Sequence, residues 1–509
     1  MGSSWGRRVP ALLLALCLAA CSDSSASLPA QAPSSSPEAA SAALPAREEV
    51  LTVGYTPSDG FNPYLANSTL VMQNAGLLFE KLVEIGPDME LEYRVAESID
   101  CSGTSVVIHL RGGLSFADGA PLTPQDAASS LAAAKNSACY GARFANLTSI
   151  QVQNDALVLE LAQPDSLFAY LCDIPVLKAE EIGLAQPTAS GRYTYGGTDS
   201  LVRNSRDSLG SDGPAQILLY PVEGYDEMMR ALSMGELDLY TASDQALGNA
   251  SMTGQEIYYK TNNLIFLGFN AQRDAPLVNT AQGRSLLGRL VNRRDLADKS
   301  YYGRAYPATG AVNCYYSCVS SQQTLSAHAD AEGLEETLTS LGYVYDSSRG
   351  YYQHPDLADS ALTLLVYTGN TYKKNTAVLL QKQYAEQGIE IRLAQTDDFN
   401  AYLAAVDTGE FDLYIGEVKL YNNMDLSPFW EGGALSSHLA QSEALAQSYE
   451  AFKSNKSAAG SFESVLAAEA PFSPLLWRQG VVVTTRGLQG LESSLSNVFY
   501  SLQDLSFGS

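Results

Sequence analysis

The chain has 509 residues, 46% hydrophobic and 17% charged, which suits a globular body of two to four domains at about 100–200 residues each. Its 31 basic residues face 56 acidic ones, for a formal charge of −25. A surface of that sign repels phosphodiester backbones and anionic headgroups, which argues against nucleic acid as a partner. The four histidines (His109, His328, His354, His438) are scattered, so no histidine cluster suggests a metal site. No nucleophile elbow, His-Glu-x-x-His or phosphate loop is present, so neither catalytic residues nor a cofactor are expected.

In chain order, Arg7 and Arg8 precede a short apolar run, Ala11 to Leu16, and then Leu18-Ala19-Ala20-Cys21. This is the layout of an export signal, and small residues leading into cysteine resemble the lipobox of a bacterial lipoprotein. Residues 1–20 therefore read as a signal peptide, and Cys21 as the lipidated first residue of a protein anchored on the extracytoplasmic face of a cell membrane. The run is shorter than the roughly 20 residues a membrane span needs. Residues 21–48, rich in Ser, Ala and Pro, read as a disordered tether. Cys17 leaves with the signal. The remaining Cys101, Cys139, Cys172, Cys314 and Cys318 allow at most two bridges in an oxidising compartment. Cys314–Cys318 is the first expectation and Cys139–Cys172 the second.

Folded structure is predicted from Val50, where Val50 to Tyr55 reads as a strand. Val107 to Leu110 is another strand. A helix follows, with Thr123 as N-cap, Pro124 in its first turn and Asp126 near its positive end. Two later segments look alike. From Tyr225 an amphipathic helix runs to Gly235, and Glu236-Leu237-Asp238-Leu239-Tyr240 follows. From Phe399 a helix runs to Gly409, and Glu410-Phe411-Asp412-Leu413-Tyr414 follows. An apolar run precedes each, Ile217 to Tyr220 and Ile389 to Leu393. The second copy extends backwards through a strand, Leu362 to Tyr367, and a helix, Ala377 to Glu386, closed by Gly388. Strand–helix–strand is the grammar of a parallel sheet, and its repetition suggests two α/β lobes of related construction.

The stretch from Val107 to Asp126 joins a strand, Leu110-Arg111, a turn, Phe116, Asp118-Gly119 and the Thr123-initiated helix. It resembles the signature of the substrate-binding lipoproteins of peptide-type ABC importers, the family 5 solute-binding proteins for oligopeptides, dipeptides and nickel complexes. Phe61-Asn62-Pro63, Leu77 to Val83, Tyr93 to Ser98, Phe266 to Asn270 and Asn292 to Asp295 resemble other stretches of that family, in order. The resemblance implies an α/β, two-lobed periplasmic-binding-protein-like fold of type II, with an extra subdomain inserted in the first lobe. Lobe I would comprise residues 49–75, 190–270 and 473–509, the subdomain 76–189, and lobe II 271–472. The implied function is hinge closure over a peptide or peptide-like solute and its presentation by a monomer to an ABC permease and ATPase. Alternatives are a ligand-sensing lipoprotein of the same fold and an extracytoplasmic hydrolase.

Peptide-binding members hold the ligand's amino group with an aspartate just after a strand of the Phe411-to-Ile415 type. Here Lys419 lies near that place, and the usual tryptophan–x–x–aspartate spacing is missing. Glu417 or Asp425 would take over the role. Equally, Lys419 would hold a ligand carboxylate or pair with Glu417 on a solvated edge. Tyr64, Tyr193, Tyr421, Trp430 and Trp477 are the candidate aromatic wall, and Asn62 and Asn270 further candidates from the family-like stretches.

Overall fold

The computed structural model describes residues 50–66, 68–210, 213–241, 254–319 and 324–507; the signal, Cys21 and the tether lie outside the described residues. One mixed sheet of eleven strands organises the body. Two long antiparallel strands occupy its middle, Gln255–Phe269 and Phe472–Thr484. On one side lie Leu413–Lys419, Leu362–Tyr367 and Ile391–Thr396. On the other lie Leu239–Thr241, Val50–Tyr55 and Gln216–Pro221, then two short antiparallel strands. Ala305–Pro307 pairs with Phe472–Thr484.

The long strands belong to two hydrophobic cores at once. Ile265, Leu267, Phe269 and Leu476 are buried in the lobe II core, while Val482 is buried in the lobe I core with Ile257 packed against it. Between these ends the register breaks: Tyr259 faces Gly480, yet Asn263 faces Arg478. The extra residues bulge out of the ladder and bend the strand where the cores part. A third apolar cluster joins Met89 and Tyr170 of the inserted segment to Tyr316 and Trp477, with the Tyr170 and Tyr316 rings 4.8 Å apart.

The repeated sequence unit folds the same way twice. Helices Tyr225–Met234 and Phe399–Thr408 each end on a left-handed glycine, Gly235 (φ 72°) and Gly409 (φ 74°). Each flanking strand pair sandwiches a third strand parallel to both, Val50–Tyr55 in one lobe and Leu362–Tyr367 in the other. The aspartates of the motif have matching roles. Asp238 accepts from the Thr52 N–H at 2.8 Å and Asp412 from the Thr363 N–H at 2.7 Å. The backbone N–H of each also donates to the carbonyl of the same threonine at 3.0 Å. Both aspartates are buried, so the motif is a strand-starting clamp and not a surface charge.

The inserted segment carries a four-stranded antiparallel sheet over Ala96–Ser102, Ser105–Leu110, Ala156–Leu161 and Leu147–Gln153. The expected helix spans Pro124–Asn136. Asp126 accepts from the Thr123 N–H and hydroxyl at 2.8 and 2.7 Å, and its other oxygen binds the Ala179 N–H at 2.8 Å. No helix among the described residues is long and apolar enough to cross a membrane.

The expected bridges Cys314–Cys318 and Cys139–Cys172 are not formed; all five described cysteines are free. Cys139 is exposed, with Sγ 3.3 Å from the Ala66 carbonyl, whereas Cys172 is buried with Sγ directed at the Phe168 carbonyl of its own turn. Consecutive turns through Asn313, Tyr316 and Val319 shape the Cys314–Cys318 loop without a covalent link. Burial pushes the Cys318 thiol up to about 11, which disfavours the thiolate needed for exchange.

In lobe II, Glu463 reaches from helix Ala459–Glu469 to accept the Ala311 and Val312 N–H groups at 3.1 and 2.6 Å. A Cβ on Gly310 would lie 2.6 Å from this carboxylate, so only glycine admits the clamp. Burial pushes Glu463 up to about 7, against the two N–H groups that favour its charged form.

Asp238→Ala and Asp412→Ala should each lower stability by about 1–3 kcal/mol, because each strands a backbone N–H; urea unfolding midpoints measure this. Glu463 is protonated in the folded state over a range where the unfolded chain has already lost its proton. Stability should therefore fall as pH rises from 4.5 to about 7, by about 3 kcal/mol from this group. Glu463→Gln should flatten that slope relative to the parent chain.

Candidate ligand-binding site

The bulge at the hinge is satisfied by side chains. Asn313 Nδ2 donates to the Thr261 carbonyl at 3.1 Å and to Asn262 Oδ1 at 3.0 Å. Asn262 Nδ2 donates to the Tyr316 hydroxyl at 3.0 Å, and that hydroxyl donates to the Asn422 carbonyl at 2.7 Å. Asn422 Nδ2 then reaches Asp173 Oδ2 at 3.3 Å. This chain of polar groups leads from the hinge to the wall of a cavity of about 490 Å³.

That cavity is walled from both lobes. Met72 and Gln73 on helix Thr69–Leu78, with Lys81, Tyr140, Arg143 and Asp173, form one side. Lys419, Leu420, Tyr421 and Asn422 form the other, where Leu413–Lys419 ends. Tyr259 lines it from the hinge strand, and Leu495 to Val498 complete it. Its size falls within the usual range for a small-molecule site of about 300–1,000 Å³.

Three cations line it against one carboxylate. Arg143 Nη1 lies 2.7 Å from Asp173 Oδ1, and the guanidinium sits 4.6 Å from the Tyr140 ring centroid. Burial raises Asp173 above the ordinary carboxylate range, and Arg143 opposes that shift. Lys81 donates to the Ser496 carbonyl.

A neighbouring cavity of about 670 Å³ shares Arg143 and is lined by Asp165, Asn423, Asp425, Tyr449 and Lys453. At its edge the inserted segment and lobe II are fastened together. Lys453 Nζ lies 2.7 Å from Asp165 Oδ1, Asn423 Nδ2 donates to Asp165 Oδ2 at 2.5 Å, and the Ser166 N–H donates to the Lys453 carbonyl at 2.7 Å.

The candidates read from sequence fall in several places. Lys419 and Tyr421 line the first cavity, and Asp425 lines the second, its Oδ1 accepting from Tyr449 and the Ser427 N–H at 2.8 and 2.9 Å. Glu417 lies away from both. It pairs with Lys373 at 2.9 Å and Arg478 at 2.8 Å, so the Glu417–Lys419 pair is replaced by these two. Tyr64 stands behind Tyr140, ring edge to ring, with its hydroxyl on the Pro175 carbonyl. Trp430 packs on Tyr449 and Phe462, and Trp477 is fully buried in the bridging apolar cluster.

Three further candidates have structural bonds instead of cavity positions. Asn62 holds the Ile182 and Leu184 carbonyls, Asn270 holds those of Gly409 and Phe411, and Tyr193 donates to the Pro214 carbonyl. Sequence reasoning missed Lys81, Arg143 and Asp173. Their one sequence signal is a charge set among large apolar or aromatic neighbours, as in Phe79-Glu80-Lys81-Leu82 and Leu171-Cys172-Asp173-Ile174.

Comparison with known proteins places this geometry in context. Residues 90–431, more than half of the chain, match the model for bacterial extracellular solute-binding proteins, family 5 Middle. No curated protein matches the sequence. Among solved structures, the fold is similar to the periplasmic murein tripeptide binding protein MppA in its unliganded open form (TM-score 0.73, 17% identity, 91% of this chain and 98% of that one). It is similar to a nickel ABC transporter protein from Bacillus halodurans (TM-score 0.72, 16% identity, 90% and 100%). It is also similar to the oligopeptide-binding protein AppA from Bacillus subtilis in complex with a nonapeptide (TM-score 0.55, 15% identity, 90% and 99%). With the two-lobed α/β sheet, the family match over its middle shows that the chain belongs to the bacterial extracellular solute-binding proteins of family 5.

Proposed function

We propose that this chain captures a peptide or peptide-like solute between its lobes and presents the closed form to an ABC permease. The observation that carries this reading is the cavity walled from both lobes, beside crossing strands whose pairing is interrupted by a bulge. Similar folds include a murein tripeptide binding protein, a nickel ABC transporter protein and an oligopeptide-binding protein in complex with a nonapeptide, which supports a small solute of that kind. Ligand between the lobes stabilises the closed form by contacts that the open form lacks, and no bond in the solute changes. Export through the leader, a lipid anchor on Cys21 and a monomeric state complete the proposal, and the 21–48 tether would let the body reach a permease. Lobe I as residues 49–75, 190–270 and 473–509, an inserted 76–189 and lobe II as 271–472 remain the proposed division.

Calorimetry of the signal-less protein against di- to pentapeptides should show saturable binding of one ligand, with the solute recovered intact. Turnover of any bound peptide, or an absence of binding across the set, would contradict the reading. Tyr421→Ala should weaken binding about tenfold, or about 1.4 kcal/mol, by removing an aromatic face from the cavity wall. Lys453→Met leaves the buried Asp165 without its cation, at a cost of about 3–5 kcal/mol to the joined form. The ligand-free variant should show a larger radius of gyration in X-ray scattering than the parent.

A further inference from the structure

Within the reading above, we infer that Arg304, Glu256 and Tyr372 form a latch behind the crossing strands that resists closure of the lobes and so sets how tightly a solute is held. The latch lies on the face of the sheet away from the cavity. Tyr259 lines the cavity and Ile257 packs on the lobe I core. Glu256 and Tyr258 alternate with them along the strand and so belong to the opposite face. Their ladder partners Val483 and Val481 are buried there in a small apolar cluster with Leu232 and Tyr240 of lobe I.

Lobe II reaches across to this face. Tyr372, in the first turn of helix Thr371–Glu386, packs against both that lobe I cluster and the lobe II core. The Arg304 carbonyl accepts from the Gln479 N–H at 2.9 Å, at the level of the bulge, which fixes the arginine backbone beside the long strand. Its guanidinium then grips both sides. Nη2 lies 2.7 and 2.9 Å from the two Glu256 oxygens, Nε 3.2 Å from one of them, and Nη1 donates to the Tyr372 hydroxyl at 2.7 Å. Every nitrogen of the fork is engaged, and the paired side chains are only 13% and 10% exposed. A charge-assisted pair so shielded is screened much less than a surface one, so parting it carries a real cost.

A rotation of the lobes about the break between Tyr259 and Asn263 moves the two faces of the sheet in opposite senses, and narrowing the cavity parts the far face. Closure therefore draws Arg304 and Tyr372 away from Glu256 and the lobe I cluster. The Lys453–Asp165 tie joins the inserted segment to lobe II and favours closure, whereas the Arg304 latch opposes it. Apparent affinity scales with the fraction of molecules in the binding-competent form, so residues outside the cavity set it.

The test is X-ray scattering of the signal-less, ligand-free protein, with calorimetry against di- to pentapeptides. Arg304→Gln and Glu256→Gln should each shrink the radius of gyration relative to the parent, opposite to Lys453→Met. Arg304→Gln combined with Lys453→Met should return the radius toward the parent's. Peptides that bind the parent should bind either single variant of the latch roughly 3–10-fold more tightly, although neither residue lines the 490 Å³ cavity. Where the charge variants do not fold, Tyr372→Phe removes only one hydroxyl and should move both readings in the same direction.

Radii no smaller than the parent's, or no tighter binding of a peptide that the parent binds, overturn the latch and leave the solute-receptor reading standing. Smaller radii in a chain that binds none of the peptides support the latch and overturn the receptor reading.

Discussion

The pairing of Gln255–Phe269 with Phe472–Thr484 is the contact on which the other features depend. Each strand is anchored in one core at one end and in the other core at the opposite end. A continuous ladder would make the pair a stiff rod. The bulge at Lys260, Thr261 and Asn262 removes ladder bonds at the point where the cores separate. The freed backbone groups are taken up by side chains, with Asn313 on the Thr261 carbonyl and Thr261 on the Arg478 carbonyl. Side-chain bonds exchange partners by rotamer change, whereas a ladder moves only as a unit. The Thr261 carbonyl freed from the ladder is thus held by a side chain.

That solution ties the hinge to the cavity. Asn313 and Tyr316 sit on the loop that Glu463 clamps, and their partners run through Asn262 and Asn422 to Asp173 and Arg143. The clamp carboxylate, the hinge amides and the cavity ion pair form a contiguous path of polar contacts across the two lobes. One end of that path holds the larger of two register shifts in the long strands' pairing, the other lying at Ile265 and Phe266.

Much of this architecture was legible in the sequence because local rules and the fold agree. Gly235 and Gly409 end their helices in the left-handed region, and Thr123 with Asp126 starts one, as their residue types dictate. The two Gly-x-φ-Asp-φ units identified a repeated construction, although nothing local revealed that each aspartate clamps a third strand 49 or 186 residues away. The cavity was harder to read. Asn62, Asn270 and Tyr193 stand in family-like or aromatic settings, yet their polar atoms hold nearby or distant backbone, a role only tertiary structure displays. Arg143 lies in a short Ala-rich turn with no motif, and its meaning comes from Asp173 and Lys419, which arrive from distant elements. The cysteines misled because counting presumes proximity, whereas Cys139 and Cys172 direct their sulfurs to different carbonyls.

The contrast between surface and cavity charge bears on how such a protein selects. At physiological ionic strength, exposed charges are screened over about 8 Å, so the overall −25 acts mainly on approach and on solubility. Inside the cavity the nearby cations count for more, because protein replaces solvent around them and the ion pair with Asp173 engages only part of Arg143. A strongly acidic exterior thus coexists with a wall of donors, and the two operate at different distances. The exterior disfavours large polyanions before they reach the protein, whereas the cavity wall sets Lys81, Arg143 and Lys419 against Asp173 alone. Surface charge and cavity charge are therefore separate properties, and no net-charge figure for the chain expresses the second.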